Sequence, residues 1–323
     1  MSEIVHVVKT SHRTLRADIK RALDTAEFKK LNPNKETFIK INANYDRNWP
    51  GCNTSKWFLD ALLGNLRDIG FSEIKVVEGD LKFQPALRTI KVTGINKVLE
   101  RYKVPFVALE GLPRDEDLPI ILSNSQLIST PVLHTHTFAV ISVATKNLYG
   151  LLPIYREKYH NILSQKLLEL CKNIKVFSIV DGTVGLQGGS MRMGDPIKTD
   201  LILAGWDPIS LDVVSAKIMG FNVEQVPHLK LASDRGLVKD ITITGDFSEN
   251  ELPRYHFTCK TPSIANFDLW VRSNYLIGRF FRYNSPLDRL ANITRRNYTK
   301  IIYYYKIKKV SKGDWKCYED GVA

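Results

Sequence analysis

Residues 37–69 read TFIKINANYDRNWPGCNTSKWFLDALLGNLRDI. The largely apolar run 37–42 predicts a strand. A loop holding Pro50 and Gly51 interrupts it. From 54 to 69, Trp57, Phe58, Leu62, Leu66 and Ile69 recur at a helical period, and Asn53 or Thr54 is the expected cap. Strand, loop and helix in this order form the unit from which α/β proteins are built.

Working outward, similar runs predict strands at 3–8, 73–77, 104–109, 126–132, 175–180, 200–204 and 240–244. Helical patterns occupy 162–171 and 207–219. The second opens on Asp207-Pro208, a cap followed by a first-turn proline, and stops at Gly220. The expected fold is α/β, with a largely parallel or mixed sheet covered by helices over a body of residues 1–264. Element boundaries are least defined over 82–102 and 254–265.

Net charge separates this body from the C-terminal remainder of the chain. The chain carries 46 basic and 34 acidic residues, a formal +12, but residues 265–323 alone hold 12 Lys/Arg against 5 Asp/Glu. They also hold 12 of the 32 aromatic residues, so 265–323 reads as a basic, aromatic, helical appendage on a nearly balanced body. No window approaches the ~18 apolar residues of a spanning helix, and MSEIVHVVKTSHR lacks the apolar core of a secretion signal. Cys52, Cys171, Cys259 and Cys317 are isolated, which argues against a disulfide framework or a cysteine-rich zinc site. A cytoplasmic protein is expected.

Three stretches concentrate chemistry. In 131–153, PVLHTHTFAVISVATKNLYGLLP, a strand through His134 and His136 points both imidazoles to one face. They can act as acid/base groups or hold a divalent metal, or serve merely as hydrogen-bonded edge-strand residues. Lys146 and Asn147 follow, then His160. The stretch 181–194 is rich in glycine, so Asp181 at a strand end and the Gly188-Gly189 loop are candidates for holding an anion. It matches neither common nucleotide-binding glycine motif. Arg47, in the strand-to-helix loop, is a candidate carboxylate or phosphate anchor, with Cys52 nearby. Asp212, on an apolar helix, needs a buried partner, and Lys146 or an arginine is the expected one.

Taken in order, KINAN at 40–44, the PG-x-x-T loop at 50–54, HTH at 134–136, ATKNLYG at 144–150, IVDG at 179–182, GDP at 194–196 and DPISLDVVSAKIMG at 207–220 resemble the family of unknown function DUF362, from roughly 37 to 245. Two departures stand out. Members usually have Lys-Thr-His where this chain has His134-Thr135-His136. Many also carry a ferredoxin-like cysteine cluster, whereas the isolated cysteines here lead us to expect no iron–sulfur cluster. The histidine-then-lysine order is also similar to that of lactate racemase-type enzymes, in which a lysine tethers a nickel-pincer nucleotide. That likeness implies a His/Lys-lined pocket, with Lys146 in the tether-like place and His136 as acid/base.

The expectation is an enzyme acting on a small anionic, carboxylate-bearing metabolite. His136 is its acid/base, His134 a second one or a metal ligand, and Lys146 the stabiliser of negative charge. Asn147, Asp181, Arg47, Gly188 and Gly189 bind substrate. Two alternatives involve the appendage: nucleic-acid binding through 295–298 and 306–312, or a ligand-binding protein held at a membrane surface by Phe267, Trp270, Phe280 and Phe281. The same aromatics can instead pack on the body.

Overall fold

In a computed structural model, residues 2–25, 27–43, 45–81, 84–189 and 194–259 are described, with 286, 290, 293, 297, 303, 306, 307, 310 and 313–320 beyond them. The strands are β1 (Glu3–Lys9), β2 (Thr37–Ile41), β3 (Ile74–Glu78), β4 (Phe106–Ala108), the two-stranded ribbon β5 (Arg114–Asp115) and β6 (Leu118–Pro119), β7 (Gln126–Thr130), β8 (Val132–His136), β9 (Val140–Ser142), β10 (Phe177–Gln187), β11 (Asp195–Gly205) and β12 (Ile241–Gly245). Among the described residues the α-helices are α1 (Leu15–Leu23), α2 (Lys56–Ile69), α3 (Ala86–Thr93), α4 (Ile95–Tyr102), α5 (Ala144–Leu148), α6 (Leu163–Asn173), α7 (Pro208–Met219), α8 (Pro227–Asp234) and α9 (Lys316–Asp320).

The main sheet runs β12-β1-β11-β10-β7-β2-β3-β4. Along this path all pairings are parallel except those of β11, which runs against both β1 and β10; off the path, β8 joins β10 in parallel and β9 pairs antiparallel with β8. Both faces are covered, and neighbouring residues divide between them as a two-residue period requires. Val8, Ile179 and Ile202 pack with α1 and α2, whereas Val7, Val180 and Leu203 pack with α7 and α8. This is the mixed, helix-covered sheet expected from the sequence.

Several details differ from the sequence reading. The cap of α2 is Ser55, whose Oγ accepts from Phe58 N at 3.4 Å. Thr54 is occupied elsewhere, its hydroxyl donating to Thr130 O at 2.6 Å. Helices α3 and α4 fill the poorly defined stretch before β4. Asp207 does cap α7, accepting from Ser210 N at 2.8 Å, and Gly220 closes that helix at φ +87°.

The first half of the glycine-rich stretch is strand, because β10 continues through Gly182 and Gly185 to Gln187. A Cβ on Gly182 would lie 2.7 Å from Leu201 O, and one on Gly185 2.9 Å from Leu133 O. These glycines admit neighbouring strands at close range.

The described part of the appendage packs on the body. Tyr318 is 2% exposed and stacks on Trp57 at 5.8 Å, while its hydroxyl donates to Asp200 Oδ1 at 2.6 Å. Val310 packs among Tyr45, Trp49, Cys52 and Leu186. Most of the proposed nucleic-acid segments, and all four aromatics proposed to meet a membrane, lie outside the described residues. Among the described residues no helix is long and apolar enough to cross a membrane.

Candidate functional site

One corner of the sheet gathers the chemistry. After β7 the chain passes Pro131 and enters β8, which runs parallel to the later part of β10, with His134 opposite Leu186. This extension carries His134 and His136 past the carboxyl ends of β2 and β7, the end at which open α/β sheets form crevices. A turn then brings β9 back against β8, pairing His136 with Val140. Val140 has φ +63°, an uncommon backbone state for a β-branched residue.

His136 is held through Nδ1, which accepts the amide hydrogens of Phe138 at 3.0 Å and Ala139 at 3.2 Å. The neutral ring therefore carries its proton on Nε2. Burial, and then the nearby Lys146 charge, push its pKa well below the usual range.

His134 is 1% exposed; its Nε2 accepts from Asn42 Nδ2 at 3.3 Å, and Nδ1 makes no hydrogen bond of normal geometry. Burial lowers its pKa to about 4. Both rings are thus neutral at ordinary pH. Phe138 and Tyr149 flank His160 at ring distances of 5.5 and 6.3 Å.

Lys146 rises from α5 and lies over the Tyr149 ring, 4.3 Å from its centre. Among the described residues its ammonium meets no hydrogen-bond acceptor, and the side chain remains partly exposed. Desolvation, followed by the charges of Arg156 and Lys40, lowers its pKa to about 7.

Asp212 sets the position of α5. The residue before that helix supplies no side-chain cap. Instead Asp212, reaching across from α7, accepts from Ala144 N at 2.7 Å and from the Thr145 hydroxyl. His228 Nε2 donates to the same carboxylate at 3.0 Å. The partner expected for Asp212, Lys146 or an arginine, is therefore replaced by the first turn of α5 and His228. This arrangement satisfies the carboxylate and binds three helices together.

A second lysine, not singled out from the sequence, lies beneath. Lys40 on β2 is 1% exposed, 2.8 Å from Glu78 Oε1, and donates to Ile41 O at 2.7 Å. Glu78 also accepts from Ala43 N and Gly79 N at 2.9 and 2.8 Å. Gly150 passes directly over this pair: a Cβ there would lie 2.6 Å from Lys40 Nζ. A lone lysine inside TFIKI and a glutamate closing IKVVE are the signals that mark them, since charge on a doubly buried strand needs a partner.

Other expected site residues are engaged elsewhere. Asn147 Nδ2 donates to Ser129 Oγ at 2.8 Å and to Lys40 O at 3.3 Å, which places it in the support beneath the lysines. Asp181 lies within β10, away from a strand end. It accepts from Ser55 N at 2.9 Å and Ser55 Oγ at 2.6 Å, and from Thr183 Oγ1 at 2.6 Å, so it braces the start of α2. Burial raises its pKa despite these donors.

The amides of Gly188 and Gly189 are already used, donating to Thr258 O at 2.7 Å and Thr135 Oγ1 at 2.9 Å. Arg47 bonds Asp46 O at 2.7 Å and lies over Tyr303, and it is absent from the charges that act on His134, His136 and Lys146. Among the described residues no three His, Cys, Asp or Glu side chains converge as a metal set.

Neither a curated protein nor a solved structure matches the chain. The model of a domain of unknown function, DUF362, matches residues 37–217, which include β2, the two histidines of β8, Lys146 and Asp212. His228 lies just beyond that match. With more than half of its length matched, the chain belongs to the DUF362 family.

Proposed function

We propose that the protein is an enzyme that moves a proton to or from a small, carboxylate-bearing metabolite, with Lys146 taking and returning that proton. The observation that carries this reading is an ammonium that meets no acceptor among the described residues, its charge acting on two neutral imidazoles. At a pKa of about 7, Lys146 is divided between base and acid at neutral pH, where proton transfer is most effective. His136, with its proton on Nε2, is the hydrogen-bond donor for an oxygen that gains negative charge. A neutral imidazole suits this task because it donates without giving up its proton.

The positive charges of Lys40 and Arg156, felt at Lys146, favour an anionic substrate. A metal-assisted variant has less support: the Nδ1 lone pair of His136 is committed to two amides, leaving Nε2 as a donor. A reducing, cytoplasmic setting fits the four free cysteines.

The test is deuterium wash-in from heavy water, followed by proton NMR on a panel of small carboxylates, which needs no knowledge of the product. Wild-type protein is expected to exchange carbon-bound hydrogen in at least one member. Lys146→Met should slow that exchange by roughly 10²-fold or more. Exchange at the wild-type rate in Lys146→Met, or none across the panel, would overturn the proposal.

A further inference from the structure

A lysine that works only as a charge is best placed against an acceptor, and the buried Lys40 shows the arrangement: a carboxylate at 2.8 Å and a carbonyl at 2.7 Å. Lys146 is placed otherwise. Its nitrogen lies over the face of Tyr149 at 4.3 Å, and among the described residues no carboxylate or carbonyl holds it. The residue as a whole is partly exposed. The lone pair of its neutral form is therefore open to a carbon electrophile as well as to a proton.

The surroundings suit one electrophile. The Nδ1 atom of His136 accepts two amide hydrogens, which turns Nε2–H into a fixed donor able to polarise a carbonyl oxygen. Arg156, the stronger of the charges acting on Lys146, supplies positive field, which favours a carboxylate beside that carbonyl. An amine desolvated next to other cations is a recurring route to Schiff-base chemistry.

We propose that Lys146 is a nucleophilic amine that forms a Schiff base with a 2-oxo acid. This rests on the reading of a proton-transfer enzyme centred on Lys146 and narrows its substrate class. It makes that residue the amine that acidifies the carbon, in place of the base that takes its proton. The amine attacks the carbonyl carbon, a C–N bond forms, and the π pair moves to oxygen. A proton passes from nitrogen to oxygen, giving a carbinolamine. Uptake of one further proton expels water and leaves a protonated imine. The cationic nitrogen then draws electrons from the adjacent carbon, which releases its proton to water and leaves an enamine. A proton returned from water to that carbon restores the imine, and water adds to it to release the lysine amine and the 2-oxo acid. No oxidant or reductant takes part.

The experiment is borohydride trapping on the full-length protein with pyruvate, 2-oxobutyrate and 2-oxoglutarate as probes, read by peptide mass spectrometry. Borohydride delivers hydride to the imine carbon and fixes a secondary amine. The expected result is an adduct on Lys146 far above that on exposed Lys29, lost in Lys146→Arg and absent with lactate, which has no carbonyl. Labelling of Lys146 no greater than of Lys29, with all three probes, overturns the proposal. The two readings fail separately. Lys146-dependent deuterium exchange without trapping leaves a base and removes the Schiff base. Trapping without exchange leaves a nucleophile and removes the proton-transfer reading.

Discussion

Lys40 and Lys146 are close enough for one charge to weaken the other, yet the protein treats them in opposite ways. Lys40 is enclosed, paired with Glu78 and roofed by Gly150. Lys146 meets no acceptor among the described residues, is partly open, and is supported from behind by the Asp212–His228 clamp beneath its helix. Burial lowers the pKa of both, but only Lys40 has an opposing carboxylate that raises it again. The difference separates two uses of one side chain. Lys40 completes the structure, and Lys146 is kept available for chemistry.

Removing each charge in turn gives the sharpest contrast. Lys40→Met strands Glu78 without its cation, and breaking a buried pair costs about 3–5 kcal/mol, readable by urea unfolding. The double variant Lys40→Met/Glu78→Leu should recover much of that loss. If Lys40→Met were as stable as wild type, the contrast between the lysines would fail.

Asp212→Ala comes next. It leaves the α5 amides and His228 unpaired, at about 1–3 kcal/mol for each orphaned group that water cannot reach. Its hydrogen exchange should quicken at residues 144–148 more than in β2, whereas an even rise across the fold would deny the clamp its local role.

Lys146→Met should retain wild-type stability at pH 7 or gain roughly 0.5–2 kcal/mol, as happens when a functional residue is given up. The pH dependence carries a definite sign. The unfolded lysine keeps its proton up to about 10.5, while the folded one releases it near 7. Between those values the unfolded state binds more protons, so wild-type stability rises with pH relative to Lys146→Met. Denaturation curves at both ends of that window measure it, and a flat difference would show an ordinary surface lysine.

The last effect, seen only below neutral pH, belongs to His134→Gln. The folded imidazole titrates at about 4 against an ordinary 6.5, so wild type loses stability as pH falls through that interval. The variant should lack this contribution, and urea unfolding of both proteins across the same interval measures it.

Much of the fold is legible in the sequence because strand and helix periods are read locally: TFIKI, KWFLDALLGNLRDI and PISLDVVSAKIM all form the elements their patterns imply. The stretch 181–194 misleads, since glycine marks both a loop and a crowded strand, and only the close carbonyls of Leu201 and Leu133 distinguish the two.

The site divides similarly. His134, His136 and Lys146 stand out as residue types suited to chemistry. The Lys40–Glu78 pair and the Asp212–His228 contact depend on which strands and helices become neighbours, and a single sequence does not state that. Asp181 and Asn147 are of the right type but support the frame instead.

Tyr318 gives the chain an order of assembly. Its ring closes the layer containing Trp57, and its hydroxyl bonds Asp200, yet it is synthesised long after both. The first half of the body can form β2, α2 and their neighbours during translation, but the Trp57 face stays open until the far end of the chain returns. Closing so long a loop adds an entropic cost and slows the final step. Nascent chains and C-terminal truncations alike therefore display an unfinished aromatic surface, the state in which this protein is most exposed to chaperones and to aggregation.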